Sequence, residues 1–301
     1  EFALIKTRVE VEINWLILIS NNKSLSFIPN LSLAQQKKVL NIFNEFSIQD
    51  AREIKKIEKK TNHDVKAIEL FIVAKLKKLK LNKLCEFVHF CCTSEDINNL
   101  SYSLMLQRFL NQEFSPAMDA LQKKLSSLAK KWSKISMLAF THGQPASPTT
   151  LGKEFANYSY RLKFHLDLIK STKQKGKFNG ASGNYNAHLI ASQKVNWESL
   201  SKRFVNSLGL NFSSHSTQIE LKDAMAYQLT NIHNLNNVLI DFAQDIWLLI
   251  SKNYLKQNLN AGEVGSSTMP HKVNPIDFEN AEGNLSIANG LLVALKNKIQ
   301  I

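Results

Sequence analysis

Four stretches of this chain gather Gly, Pro, His, Lys and hydroxyl side chains more densely than a connection between helices requires. Thr141-His142-Gly143-Gln144-Pro145-Ala146-Ser147-Pro148 holds two prolines and a glycine, which fix a non-helical path and put His142 in a loop. An imidazole there titrates near neutrality and can give or take a proton. A His that only hydrogen-bonds its own turn fits the same residues, and both readings stay open. Cys92-Thr93-Ser94-Glu95-Asp96-Ile97-Asn98-Asn99 sets hydroxyls at the start of a helix carrying Ile97, Leu100 and Leu104. Free N–H groups at such an N-terminus, helped by Thr93 and Ser94, can hold a carboxylate or phosphate, although Ser and Thr there are more often simple caps. Thr61-Asn62-His63-Asp64 also precedes a helix, with Asp64 as the N-cap candidate, and His63 gains interest only from the other segments.

The fourth stretch, Gly262 to Pro275, combines two glycines ahead of Ser266 with Pro270, His271, Lys272, Asn274 and Pro275. A Lys that neutralises a carboxylate, beside a Ser whose hydroxyl becomes a base in that field, suits chemistry on an anionic substrate. Glycines on one side and prolines on the other lead us to expect a closing lid. The G-x-S-x-G context of a hydrolase is absent, and the Gly-rich stretch from Gly176 to Gly183 follows no strand and has the wrong spacing for a phosphate loop.

Helices must position these segments. Met118, Leu121, Leu125, Leu128, Trp132 and Ile135 step by threes and fours, as do Met225, Leu229, Ile232, Leu235, Leu239, Phe242, Ile246 and Leu249, so both stretches predict bundle helices. Leu151, Phe155, Tyr158, Leu162 and Ile169 mark a third, expected to start at Pro148 with Ser147 as N-cap. Val65, Ile68, Ile72, Leu76 and Leu79 give a shorter one, and the regularity fades from Leu81 to Cys92. The chain therefore reads as all-α, with a first helical domain over residues 1–82 and a long-helix bundle over 83–301.

Composition narrows the class. The 301 residues are 44% hydrophobic, enough for a large core, and only 10 Gly and 6 Pro punctuate them, too few for many short strands. The apolar run from Trp15 to Ile19 is far too short to span a bilayer, and no secretory segment opens the chain, which points to a soluble cytoplasmic protein. Cys85, Cys91 and Cys92 lack disulfide or zinc spacing and read as reduced thiols. The net charge of +13 fits nucleic-acid binding, a phosphate-bearing substrate or a Lys-rich wet surface. Lysines interleaved with Ile57, Leu76, Leu79 and Leu81 favour the wet surface, and no nucleic-acid recognition motif is present.

Gly265 to Asn274 matches the loop motif G-S-S-x-M-P-x-K-x-N at every fixed position. On it, the chain resembles the fumarase, aspartase and argininosuccinate lyase superfamily. Within that superfamily, TNHDV at Thr61 to Val65, TSEDINN at Thr93 to Asn99, THGQPA at Thr141 to Ala146, NGASGNYNAH at Asn179 to His188 and PHKVNPIDFEN at Pro270 to Asn280 resemble the adenylosuccinate lyase family, its bacterial branch most. The resemblance implies elimination of fumarate from adenylosuccinate and from a succinylated imidazole-carboxamide ribotide. His142 would be the general acid, Glu279 the carboxylate orienting it, and Ser266 the base. Lys272 and Asn274, with Thr93 and Ser94, would hold the succinyl carboxylate that takes up charge, and Asn62, His63, Gln218 and Asn280 would bind substrate; His89 would be structural.

The family's architecture implies a homotetramer with each active site shared among three subunits, and neither a metal nor an organic cofactor. The chain opens Glu1-Phe2-Ala3-Leu4 without Met or a cap, and stops within an apolar pattern at Leu291, Leu292 and Leu295. We therefore expect a piece lacking a nucleotide-binding Arg-Tyr pair ahead of it and a helical domain behind it, whose activity alone is in doubt. Argininosuccinate lyase or fumarase, a basic helical nucleic-acid-binding protein, and a bare assembly module are the competing readings.

Overall fold

The computed structural model describes residues 1–258, 268–269 and 272–301. In chain order the helices are α1 (Phe2–Ser20), α2 (Leu33–Asn44), α3 (Ile48–Thr61), α4 (Asp64–Lys78), α5 (Ser94–Phe109), α6 (Ser115–Lys131), α7 (Leu151–Ser171), α8 (Asn186–Ala191), α9 (Trp197–Ser207), α10 (Asp223–Ser251) and α11 (Ile276–Ile299). Two small sheets accompany them: the antiparallel hairpin of β1 (Ser136–Thr141) and β2 (Gln144–Thr150), and the short parallel pair β3 (Lys175–Gly176) and β4 (Asn211–Phe212). The helical architecture stands, and the strands are additions to it.

The chain divides into two compact units, each discontinuous in sequence. The first comprises Glu1–Phe109 and Lys173–Lys222. Its axis is α1, apolar almost all round, with Val9, Val11, Ile13, Trp15 and Ile19 fully buried. Trp15 stacks against Phe178 and Phe204 with ring centroids 4.5 and 5.2 Å away, so residues from three distant parts of the chain close one core. Local signals set the flanking helices: Ser32 with Gln35 and Ser47 with Asp50 form reciprocal capping boxes at the starts of α2 and α3.

The second unit comprises Leu110–Thr172 and Asp223–Ile301. Here α6, α7, α10 and α11 pack side by side, and Leu125, Phe155, Leu162, Leu229, Leu235 and Ile246 are buried as their periodicity predicts. Phe242 on α10 meets Phe155 and Tyr158 on α7 and Phe278 on α11. The expected start of α7 is corrected. Ser147 and Pro148 lie in β2, and the N-cap is Thr150, whose hydroxyl accepts from Lys153 N at 3.1 Å. Pro145 and Pro148 suit the strand because a two-stranded ribbon leaves N–H positions that need no partner. The first free amides of α7, Leu151 and Gly152, donate to the carbonyls of Ile135 and Trp132 in the turn that follows α6.

Candidate functional site

In the first unit, α3 ends at Asn62, whose left-handed backbone (φ 51°) turns the chain sharply into α4. His63, not Asp64, is the N-cap of α4: its Nδ1 accepts from Lys66 N at 3.2 Å. With Nδ1 turned to that amide, Nε2 is the ring nitrogen left toward solvent. Asp64, first in the helix, accepts from Val65 N and from Arg8, which hold its carboxyl below the usual range although burial alone would raise it. Asn62, His63 and Asp64 line an open groove with Lys55, Glu58 and Lys59.

Thr93 and Ser94, both half-buried, sit at the start of α5 as expected. The group that holds this start in place is one the sequence reading passed over. Asp96 is fully buried and accepts from Thr93 N (2.9 Å), Asn179 N (3.1 Å) and Gly180 N (3.1 Å), and pairs with the equally buried Lys177 at 2.9 Å. Asn99, one turn on, exchanges hydrogen bonds with the backbone of Lys177. Asn179 in turn donates to Ser216 Oγ at 2.8 Å, two residues before the exposed Gln218. Two conspicuous segments are therefore bound together by their inward-facing polar residues, while Thr93, Ser94 and Gln218 are left toward the surface. A lysine set between Gly176 and Phe178 was the available signal, because a buried ammonium needs a carboxylate partner.

His188 closes the same region, buried with both ring nitrogens unpaired, against Tyr185 and Trp197. Burial is the main cause pushing its pKa down to about 4, with Asp96 opposing and Lys177 assisting. His89 is half-buried, and its Nδ1 lies 2.6 Å from Glu12 Oε1; that carboxylate outweighs desolvation and raises its pKa. Cys85, Cys91 and Cys92 are free thiols, and burial pushes Cys91 up to about 11 and Cys92 well above its usual value.

In the second unit, His142 and Gly143 are the two central residues of the β1–β2 turn, both with positive φ (53° and 74°). This is the backbone of a type I′ hairpin turn, and it lifts the His142 ring into solvent. Lys252 steadies the turn, donating to Gly143 O at 3.3 Å and lying over the Phe140 ring. Glu279 and Asn280 are exposed in the first turns of α11, Lys272 is exposed, and Asn274 is half-buried. Among the described residues no hydrogen bond joins His142 to Glu279. Ser266, Pro270 and His271 lie outside the described residues. A separate cavity of about 240 Å³, walled by Phe140, Lys153 and Phe242, holds none of the candidate side chains. At its edge the Tyr158 hydroxyl donates to Asp245, and its pKa is raised mainly by burial.

His142 at its hairpin turn and Glu279 and Asn280 in the first turns of α11 thus belong to the same helical unit. The chain matches the family described as lyase over residues 17–290, and it belongs to that family. Its relatives are more particular. It is 45% identical over 302 residues to an adenylosuccinate lyase of Haemophilus influenzae, an alignment covering 100% of this chain and 66% of that protein. It is 44% identical to one of Escherichia coli, again with 100% and 66% covered. The chain thus spans 66% of the length of these relatives. Among solved structures it superposes on a fumarate lyase from Mesorhizobium sp. BNC1 with a TM-score of 0.74 at 16% identity, covering 99% of this chain and 63% of that one. A 3-carboxy-cis,cis-muconate lactonizing enzyme from Pseudomonas putida gives 0.74 at 21%, covering 97% and 63%. At those identities the likeness is one of fold.

Proposed function

We propose that the protein eliminates fumarate from adenylosuccinate, releasing AMP, and performs the same elimination on the succinylated imidazole-carboxamide ribotide. The observation that carries this is the 45% identity to an adenylosuccinate lyase along the whole chain. The Gly265 to Asn274 motif supports it. In the proposed step Ser266 takes the proton from the succinyl carbon beside the carboxylate, the C–N bond breaks toward nitrogen, and His142, oriented by Glu279, protonates the departing nitrogen. The carbon acid is weak, so the neighbouring carboxylate must take up charge. Lys272 and Asn274 provide cationic and amide donors for it, with Thr93 and Ser94 at the α5 N-terminus. Asn62, His63, Gln218 and Asn280 hold the rest of the substrate. The outward Nε2 of His63 and the exposed His142 ring suit these roles.

The active assembly in this reading is a cytoplasmic homotetramer whose sites draw residues from three subunits, using no metal or organic cofactor. No helix among the described residues is long and apolar enough to cross a membrane. Incubating the full-length protein with adenylosuccinate and following fumarate tests the reading. Release without added cofactor is expected. Fumarate from argininosuccinate or malate, with none from adenylosuccinate, would move the protein elsewhere in the superfamily.

A further inference from the structure

One face of α1 carries Arg8, Glu12 and Trp15, spaced by four and three residues, and each is buried and reaches a polar atom in the segments around the candidate site. Trp15 Nε1 donates to Phe90 O at 2.9 Å, and Glu12 meets His89. Arg8 does more. Its Nε donates to Asn98 Oδ1 at 2.8 Å and its guanidinium pairs with Asp64 Oδ2 at 2.6 Å, with the Arg8 side chain only 7% exposed. Asp64 is the residue after His63, and Asn98 lies one turn beyond Ser94.

We infer that Arg8 is a positioning residue that locks the Asn62–His63 corner and the α5 N-terminus into one frame, so that both meet the same substrate. Guanidinium geometry explains the choice of side chain. A rigid planar fork serves two acceptors at a fixed angle, whereas a lysine ammonium is a point charge that does not fix the angle between them. The other Asp64 oxygen already accepts Val65 N, and among the described residues Arg8 is the side chain that donates to Asn98 Oδ1. The proposal rests on the lyase reading for its consequence on substrate, but not for its consequence on the two helix starts.

The test compares wild type with Arg8→Met, which removes both bonds, and Arg8→Lys, which retains the charge. Amide hydrogen exchange on the unliganded protein is the first readout. In Arg8→Met, exchange at Val65 and Lys66 and across residues 94–98 should quicken together by about tenfold, while α9 keeps its protection, and Arg8→Lys should fall between. The second readout is adenylosuccinate kinetics. KM should rise about tenfold in Arg8→Met and less in Arg8→Lys, with kcat within about threefold, because these segments bind substrate and do not move its protons. A merely structural residue would lower the active fraction, and so kcat, at unchanged KM. Uniformly faster exchange across the first unit, or unchanged exchange at both helix starts, overturns the inference, as does an unchanged KM in an active enzyme. If wild type releases no fumarate while the two helix starts still loosen together, the frame stands and the lyase reading fails.

Discussion

At the scale of single residues the histidines divide by burial into two kinds. His142 is exposed on its turn, and in the proposed general-acid role His142→Ala should lower turnover by at least ~10²-fold while leaving substrate binding nearly intact, since such a group acts in the transition state. Steady-state fumarate release beside equilibrium binding of substrate checks this, and retained turnover removes His142 from the role. His89 and His188 instead couple the fold to pH, in opposite senses. The pKa of His89 is raised, its Glu12 partner outweighing desolvation, so its contribution is fully present below about pH 6.5 and is lost as pH rises through its folded value. His188 has its pKa lowered to about 4, mainly by burial. Above about pH 6.5 it is neutral folded or unfolded. Below that the unfolded chain takes the proton first, and stability falls until about pH 4 by on the order of 3 kcal/mol. Urea unfolding followed from about pH 4.5 to about pH 8, on both sides of an unperturbed His, separates the two. His188→Gln should flatten the acid decline, and His89→Gln should remove the gain on acidification. An unchanged acid decline in His188→Gln rejects burial of a neutral imidazole as its cause.

At the scale of elements, glycine positions tell which turns are held by backbone alone and which by their neighbours. Gly143 has positive φ, but a Cβ there would meet nothing within 4 Å. Gly143→Ala should therefore cost only the left-handed penalty, about 1 kcal/mol. Gly183 also has positive φ (78°), and a Cβ there would lie 2.4 Å from Ser216 O and 2.9 Å from Thr217 O, both backbone atoms. Gly183→Ala should cost about 1–3 kcal/mol more and displace the strand of chain leading to Gln218. Urea midpoints for the two variants check the order, and equal losses would mean that the 216–217 backbone yields freely. The same contrast shows what was legible in the residues. Regular stripes such as those of α4, α6 and α10 announced themselves, because a buried helical face repeats every three to four residues. The hairpin did not, since Ser147-Pro148 reads equally well as a cap and first turn, and only the pairing with Ser136–Thr141 decides for strand. His63 as cap was hidden behind Asp64, a commoner one. Asp96 was passed over beside Thr93 and Ser94, and its inward turn depends on Lys177, far along the chain, which no local pattern reveals. Motif residues that face outward were thus readable as a set, while the polar frame behind them required the fold.

At the scale of the whole molecule, charge and apolar surface point different ways. Much of the positive charge sits on wet helix faces and is locally answered, with Lys55, Lys66 and Lys75 pairing with Glu58, Glu69 and Asp50. This suits a solvated surface better than a polyanion track. The apolar surface is less readily absorbed. Along α11 only Asn289 is buried, clamped to Asn236 and Asn237 on α10, while Ile287, Leu291 and Leu295 form a stripe at four-residue spacing, exposed by 68%, 68% and 48%. Such a stripe on a long bundle helix is an exposed patch that calls for a cover. In the proposed homotetramer that cover is a neighbouring subunit's helix, with each of these side chains gaining roughly 1.5–3 kcal/mol when fully buried. Sedimentation velocity at micromolar concentration should then show a tetramer for the wild-type protein. Leu291→Glu, at the centre of the stripe, should shift it to smaller species while far-ultraviolet circular dichroism stays unchanged, because the residue supports no core within its own unit. Fumarate release should fall in parallel with dissociation if sites are completed across subunits. A monomeric wild type rejects the assembly, and a Leu291→Glu protein that remains tetrameric shows that this face of α11 is covered in some other way.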